Sequence, residues 1–231
     1  GAFKALPCAQ DARLVGVAGT IGTGTFTSSK ITSVVFGPDL KCIAGWAEGA
    51  FTRCTSLTNV AFDAAMSGAR FSGIRQDGFF GCSSLKGTID LTGFSDLSYV
   101  SDYGGTANPL SGTGIDTVLV GAGCTKLGAR FFNGMDKLET VVFMGAPPTI
   151  ITNQIDLTRS AGKLFDGMPE RKITTYVYKA HKAAWAPYAA NGEIGKKGST
   201  WIADYVTPDI DLSLRPLLGI DMVVGICVVV R

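Results

Sequence analysis

The sequence predicts an α/β-type repeat solenoid, with one short parallel β-strand per repeat and mostly irregular or short helical turns on the other wall. Three observations predict it. A Phe-centred unit recurs, anchored at Phe26, Phe51, Phe79, Leu110, Phe132 and Phe165, at spacings of 25, 28, 31, 22 and 33 residues. A strand-like segment follows each anchor. Only 17% of residues are charged while 30 of 231 are Gly, which suits a β-rich, turn-rich chain better than a helical one.

Residues 1–20 read as an N-terminal cap, with a degenerate strand at Leu14 to Val17 covering the open edge of the first repeat. The array follows over 21–190. Its units begin on an apolar residue five positions before the Phe, as in Ile21 to Phe26, Trp46 to Phe51, Ile74 to Phe79 and Leu127 to Phe132. After the Phe comes a turn, as in Phe51-x-x-Cys54-x-x-Leu57, Phe79-x-x-Cys82-x-x-Leu85 and Phe132-x-x-Met135-x-x-Leu138. Shortened units run from Phe26 to Ile31 and from Leu110 to Ile115, and a looser one starts at Phe165-Asp166-Gly167-Met168. The predicted strands are Ile31–Phe36, Leu57–Phe62, Leu85–Leu91 with one inserted residue, Ile115–Val120, Leu138–Phe143 and Ile173–Tyr178. A lone strand cannot bury its apolar face, so stacked repeats must share one core filled by the strand interior and by the Phe and Cys/Met positions. Residues 179–190 read as a short closing helix with Trp185 and Tyr188 packed on the last repeat. A polar connector (191–200) leads to a β-rich tail, 191–231 overall, with strands at Trp201–Val206, Ile210–Leu214 and Met222–Val230. The tail reads as folding back to cap the array, because an exposed Met222–Val230 would be an aggregation hazard.

Few reaction classes survive this reading. Net charge is +2, with 21 Lys and Arg against 19 Asp and Glu, which offers nothing for nucleic acid or an anionic membrane. The most apolar segment, Leu217 to Val230, is too short to span a bilayer and carries Asp221. Gly1-Ala2-Phe3-Lys4 lacks the basic start and apolar run of an export signal, so export would depend on residues outside this sequence. The six cysteines form no C-x-x-C pair and have only His181 to assist them, so no metal site is predicted. Cys54 and Cys82 share one repeat position and read as small buried hydrophobes rather than as a disulfide framework. His181 has no nucleophile motif beside it and reads as an ordinary cap histidine. The Gly-rich runs at 18–26 and 111–118 lack a G-K-[ST] ending and coincide with repeat turns. Asp209 to Leu214 lacks the Gly and distal Glu of a calcium loop. No catalytic residue and no cofactor is therefore predicted.

What remains is the outward face of the strands. Its first column is predicted as Ser33, Asn59, Thr88, Thr117, Thr140 and Thr175, and its second as Val35, Ala61, Asp90, Leu119, Val142 and Val177. Ser33, Asn59, Asp90, Thr117, Leu119, Thr140, Val142 and Thr175 are the candidate binding residues: small hydroxyls beside aliphatic groups, a neutral surface for protein recognition. The same residues also simply favour strands.

Segments such as IGTGTF, GAFTRCTSLTNVAF, GFFGCSSL and LGARFFNGMDKLETVVF resemble the BspA-like, or treponemal-type, leucine-rich repeats, whose unit runs roughly I-G-x-x-A-F-x-x-C-x-x-L-x-x-V-x-[IF]. The resemblance covers about residues 20–190, and GAPPTI with LFDGMPERKITTYVYKAHKAAW is similar to the closing segment of such arrays. It implies a leucine-rich-repeat fold and a secreted or bacterial cell-surface protein that binds other proteins, including host proteins in adhesion. It brings no catalytic residues. A carbohydrate-binding or wall-associated module is the alternative. It would need exposed aromatics, and of the three tryptophans only Trp185 and Trp201 fall outside inward repeat positions.

Overall fold

The computed structural model describes residues 2–7, 10–43, 48–62, 74, 77–98, 108–128, 131–151, 173–181, 183–185 and 203–206. The predicted strands at Ile210–Leu214 and Met222–Val230, the unit opening at Phe165, and Trp46, Tyr188 and Trp201 lie outside the described residues. Among the described residues, five coils contribute a strand to one wall and a second, shorter one further along. The first coil carries β1 (Gln10–Leu14) and β2 (Gly19–Ile21), and the next carries β3 (Ile31–Phe36) and β4 (Leu40–Ile43). There follow β5 (Asn59–Phe62), β6 (Lys86–Leu91), β7 (Asp96–Leu97), β8 (Gly114–Val120) and β9 (Lys126–Gly128). The last are β10 (Thr140–Phe143), β11 (Thr149–Ile151), β12 (Ile173–Val177) and β13 (Ala203–Val206).

Every pairing between these strands is parallel. The main wall consists of two successive sheets, β1-β3-β5 and β6-β8-β10-β12-β13. The second wall consists of β2-β4, extended by a parallel bridge from Ile43 to Ile74, and of β7-β9-β11. The molecule is thus a parallel β-solenoid with little helix. Helical geometry among the described residues is confined to a 3₁₀ turn at Lys179–His181 and to residues 183–185. None of it is long and apolar enough to cross a membrane.

Two expectations need correcting. The second wall holds short strands where irregular or helical turns were expected. Segments such as Gly19–Ile21 and Thr149–Ile151 are too short to nucleate a helix, and a neighbouring coil can pair their backbones directly. The strand of the first 20 residues lies at Gln10–Leu14 rather than Leu14–Val17. Paired with β3, it sets Asp11, Ala12 and Arg13 opposite Ser33, Val34 and Val35. The β6–β8 register shifts between Gly87 and Thr88, within the stretch that needs an extra residue in the repeat alignment.

One apolar core runs the length of the array, from Ala12 to Trp185. Phe26, Phe51 and Phe79 form an axial stack with ring centroids 5.0 and 5.2 Å apart, and Phe3 extends it at 5.2 Å. Phe51, Phe79 and Phe132 are fully enclosed. Offset aromatic contacts of this kind add about 0.5–1.5 kcal/mol each beyond burial. Beside the stack the turns interlock. The amide N–H of Phe3 donates to Thr25 O, that of Phe26 to Ala50 O and that of Phe51 to Gly78 O, each reaching from one coil to the next. Two residues after each described anchor the backbone turns left-handed, at Ser28, Arg53, Gly81, Gly112 and Gly134, and Ala5 does the same two residues after Phe3. At the far end the Trp185 ring lies on Phe143, centroids 4.6 Å apart, and its Nε1–H donates to Gly145 O at 2.9 Å. Trp185 is thus enclosed against the unit that carries β10, rather than against the last predicted repeat.

Candidate binding surface

Parallel pairing places equivalent residues of successive coils in axial columns. Ser33 stands between Asp11 and Asn59, and Thr117 between Thr88 and Thr140. Apart from Asp11, which the sequence reading did not include, these are predicted first-column residues, brought together within each sheet. Asp11 ties its column together. Its Oδ1 accepts from the Thr32 hydroxyl at 3.1 Å and from the Ser33 hydroxyl. Ser33, Asn59, Asp90 and Thr140 are half-buried, with part of each side chain open to solvent. Thr117 is nearly enclosed, at 5% exposure, and its hydroxyl donates to Asp116 Oδ1 at 2.8 Å.

The second column is less open. Leu119 and Val142 pack together on the outer side of the wall, joined by Met144, Tyr176 and Tyr178, and Val142 is completely buried. The aliphatic part of the predicted face is therefore a small covered cluster, roofed partly by tyrosines of the last described repeat.

Thr175 and Val177 are corrections. β12 pairs with β10 so that Thr174 opposes Thr140, Thr175 opposes Val141 and Val177 opposes Phe143. Thr175 thus falls in the inward column, where it is fully buried and its Oγ1 has no hydrogen-bond partner among the described residues. Val177 likewise joins the core. Ile173-Thr-Thr-Tyr176-Val-Tyr178 is compatible with either register. The structure chooses the one that puts both tyrosines, with their polar tips, on the outside.

Sequence reasoning missed a second polar system, on the turn wall. The hydroxyl of Thr27 donates to Gly49 O at 3.1 Å, that of Thr52 to Asp77 O at 2.9 Å and that of Ser111 to Asn133 O at 2.6 Å. The signal was present as a hydroxyl recurring immediately after the anchor residue. Three positions after the anchor, Cys54 and Cys82 are buried as predicted, and Ser29 takes the same buried place in the preceding coil. The Cys54 and Cys82 thiols donate to the Phe26 and Phe51 carbonyls at 3.0 and 3.1 Å. Burial holds the Cys82 thiol far above its ordinary pKa and raises Cys124 to about 11. Both stay protonated at neutral pH and are poor nucleophiles. Asp77 sits inside the turn wall with a left-handed backbone, and its Oδ1 has no hydrogen-bond partner among the described residues. Burial lifts its carboxyl to about 6.

No three His, Cys, Asp or Glu side chains among the described residues converge on a common ion position. Trp185, one of the two tryptophans a sugar could have used, is enclosed in the core. Comparison of the chain with protein-family models, with curated proteins and with solved structures finds no match.

Proposed function

We propose that the chain is a BspA-like leucine-rich-repeat protein, secreted or held at a bacterial cell surface. In this reading it is non-enzymatic and binds another protein, a host matrix or cell-surface component, through the outer face of its main wall. Residues 21–190 form the array, residues 1–20 its N-terminal closure and residues 191–231 its C-terminal one. One observation carries the reading: the in-register stripe of short polar groups, Asp11–Ser33–Asn59 on the first sheet and Thr88–Thr117–Thr140 on the second.

Neighbouring strands lie about 4.8 Å apart, so the half-buried members of the stripe, Ser33, Asn59, Thr88 and Thr140, offer hydrogen-bonding groups along one rigid support, with the enclosed Thr117 between them as a structural member. Side chains this short lose little rotamer freedom on binding, which favours recognition by a broad protein surface. The covered cluster of Leu119 and Val142 beside it stiffens that support.

Surface-plasmon measurements against a panel of purified extracellular-matrix proteins test this. Saturable binding that weakens about tenfold or more in Asn59→Arg and Ser33→Arg, with unchanged melting temperature, is the expected result. Saturable binding to a glycan array with none to any protein would overturn it.

A further inference from the structure

Three positions after the described anchors stand Ser29, Cys54, Cys82, Thr113 and Met135, all of them buried. At one step of this column two thiols meet. Phe51 O fixes how close they are. It accepts from the Cys54 N–H at 3.1 Å and, from the next coil, from the Cys82 thiol at 3.1 Å. The two sulfurs lie within hydrogen-bonding reach of each other, and both thiols are free in this structure.

We propose that Cys54 and Cys82 form a reversible disulfide when the chain meets a low-molecular-weight disulfide, so that the pair is a redox-sensitive staple between two inner coils. The backbone brings them to the right separation. On the approach to the two cysteines the coils are hydrogen-bonded directly, Phe51 N–H to Gly78 O at 2.9 Å and Arg53 N–H to Phe80 O at 2.7 Å. Chains paired in this way run about 4.8 Å apart. A disulfide spans about 4.4–6.8 Å between Cα atoms. Losing the two thiol donors strands no acceptor. Phe26 O keeps the Ser29 N–H at 2.9 Å, and Phe51 O keeps the Cys54 N–H.

The two thiols are not equivalent. Hydrogen bonds with Cys82 and Ser29 hold Cys54 below its ordinary thiol pKa, whereas burial holds Cys82 far above it. Cys54 is therefore the sulfur that attacks first. The pair is enclosed, so attack needs an opening of the turn, and the residue before Cys54 is Arg53, whose left-handed backbone is a strained one for an L-residue. With oxidised glutathione, the Cys54 sulfur displaces one glutathione, which leaves with the Cys54 proton, and a mixed disulfide remains on Cys54. The Cys82 sulfur then attacks the Cys54 sulfur, and the second glutathione leaves with the Cys82 proton. Two protein thiols and one glutathione disulfide become one protein disulfide and two glutathione thiols.

Peptide mapping of the full chain without reduction tests the proposal. The chain is exposed to oxidised glutathione in two ways, folded and during refolding from denaturant, and its free thiols are then blocked. The Cys54 and Cys82 peptides are expected to appear joined, lighter by two hydrogens, and to separate again with dithiothreitol. The oxidised chain is expected to melt at a higher temperature than the reduced one, because the bond constrains the unfolded chain. Cys82→Ser is expected to accumulate glutathione on Cys54, since nothing resolves the mixed disulfide, and to lose the rise in melting temperature. Recovery of both cysteines as free thiols after both treatments overturns the proposal, and the refolding treatment removes burial as the explanation. Joining of either one to a different cysteine overturns it too. A Cys54–Cys82 link that leaves the melting temperature unchanged overturns its role as a staple.

Discussion

Two buried polar atoms mark where single residues work against the fold. Asp77 buries a carboxyl whose Oδ1 has no hydrogen-bond partner among the described residues, and burial lifts its pKa to about 6 from 3.8. For an acid whose folded pKa is raised, the native state binds the extra proton, so stability is greatest below about pH 4 and falls as pH rises through 6. At 1.36 kcal/mol per pKa unit the loss amounts to about 2–3 kcal/mol at neutral pH. Asp77→Asn removes the charge, and Asn tolerates the left-handed backbone found there. Denaturant titrations at pH 7.5 are expected to show the variant more stable by about that amount, with the gap closing near pH 4. Equal stability at pH 7.5 would show that the carboxylate is solvated after all. Thr175 is the other case. A buried hydroxyl without a partner costs about 1–3 kcal/mol, and Val has the same shape without it. Thr175→Val is expected to raise the denaturation midpoint with an unchanged m-value. A fall in stability would mean that the hydroxyl is satisfied.

At the scale of elements, the turn after each anchor residue repeats one backbone shape with two kinds of residue. Ala5, Ser28 and Arg53 hold it in the first coils, whereas Gly81, Gly112 and Gly134 hold it later. A left-handed conformation costs an L-residue about 1–2 kcal/mol, offset in part by the greater entropy glycine loses on folding. Arg53→Gly is therefore expected to stabilise by about 0.5–1 kcal/mol. Gly134→Ala is expected to destabilise by more than 1 kcal/mol, since its new Cβ would lie 2.9 Å from Ser111 Cβ and press on the hydroxyl that donates to Asn133 O. Paired thermal melts decide both, and equal effects in the two variants would refute the account. The same coils show what could be read in advance. The main-wall strands and the Phe and Cys columns were legible because their apolar residues recur at fixed offsets from the anchor. The short second-wall strands were not, because two to four residues carry no period and their pairing depends on neighbouring coils. The inward turn of Thr175 was hidden because consecutive threonines in Ile173–Val177 suit either face. Phe3 was missed because one aromatic before the first full unit does not announce a repeat.

Across the whole molecule, stability is a sum over coils that each touch only their neighbours, so an end behaves differently from the middle. The continuous core from Ala12 to Trp185 gives each inner coil two partners, whereas an end coil relies on whatever closes it. Trp185 covers the core on the β10 coil, towards the far part of the described array, through its ring on Phe143 and its bond to Gly145 O. Removing a buried Trp side chain costs about 3–5 kcal/mol. In a globular core that loss would lower the stability of every part together. In a one-dimensional stack it falls first on β10 and β12 and fades towards β3 and β5, whose contacts lie several coils away. Hydrogen exchange of Trp185→Ala is accordingly expected to show protection lost over Thr140–Phe143 and Ile173–Val177 and retained over Ile31–Phe36. A matched Phe51→Ala variant, cut into the middle of the aromatic stack, is expected to weaken coils on both sides of it. If both variants instead lose protection evenly along the chain, the coils unfold as a single unit. Nearest-neighbour stacking would then be the wrong description of how this solenoid holds together.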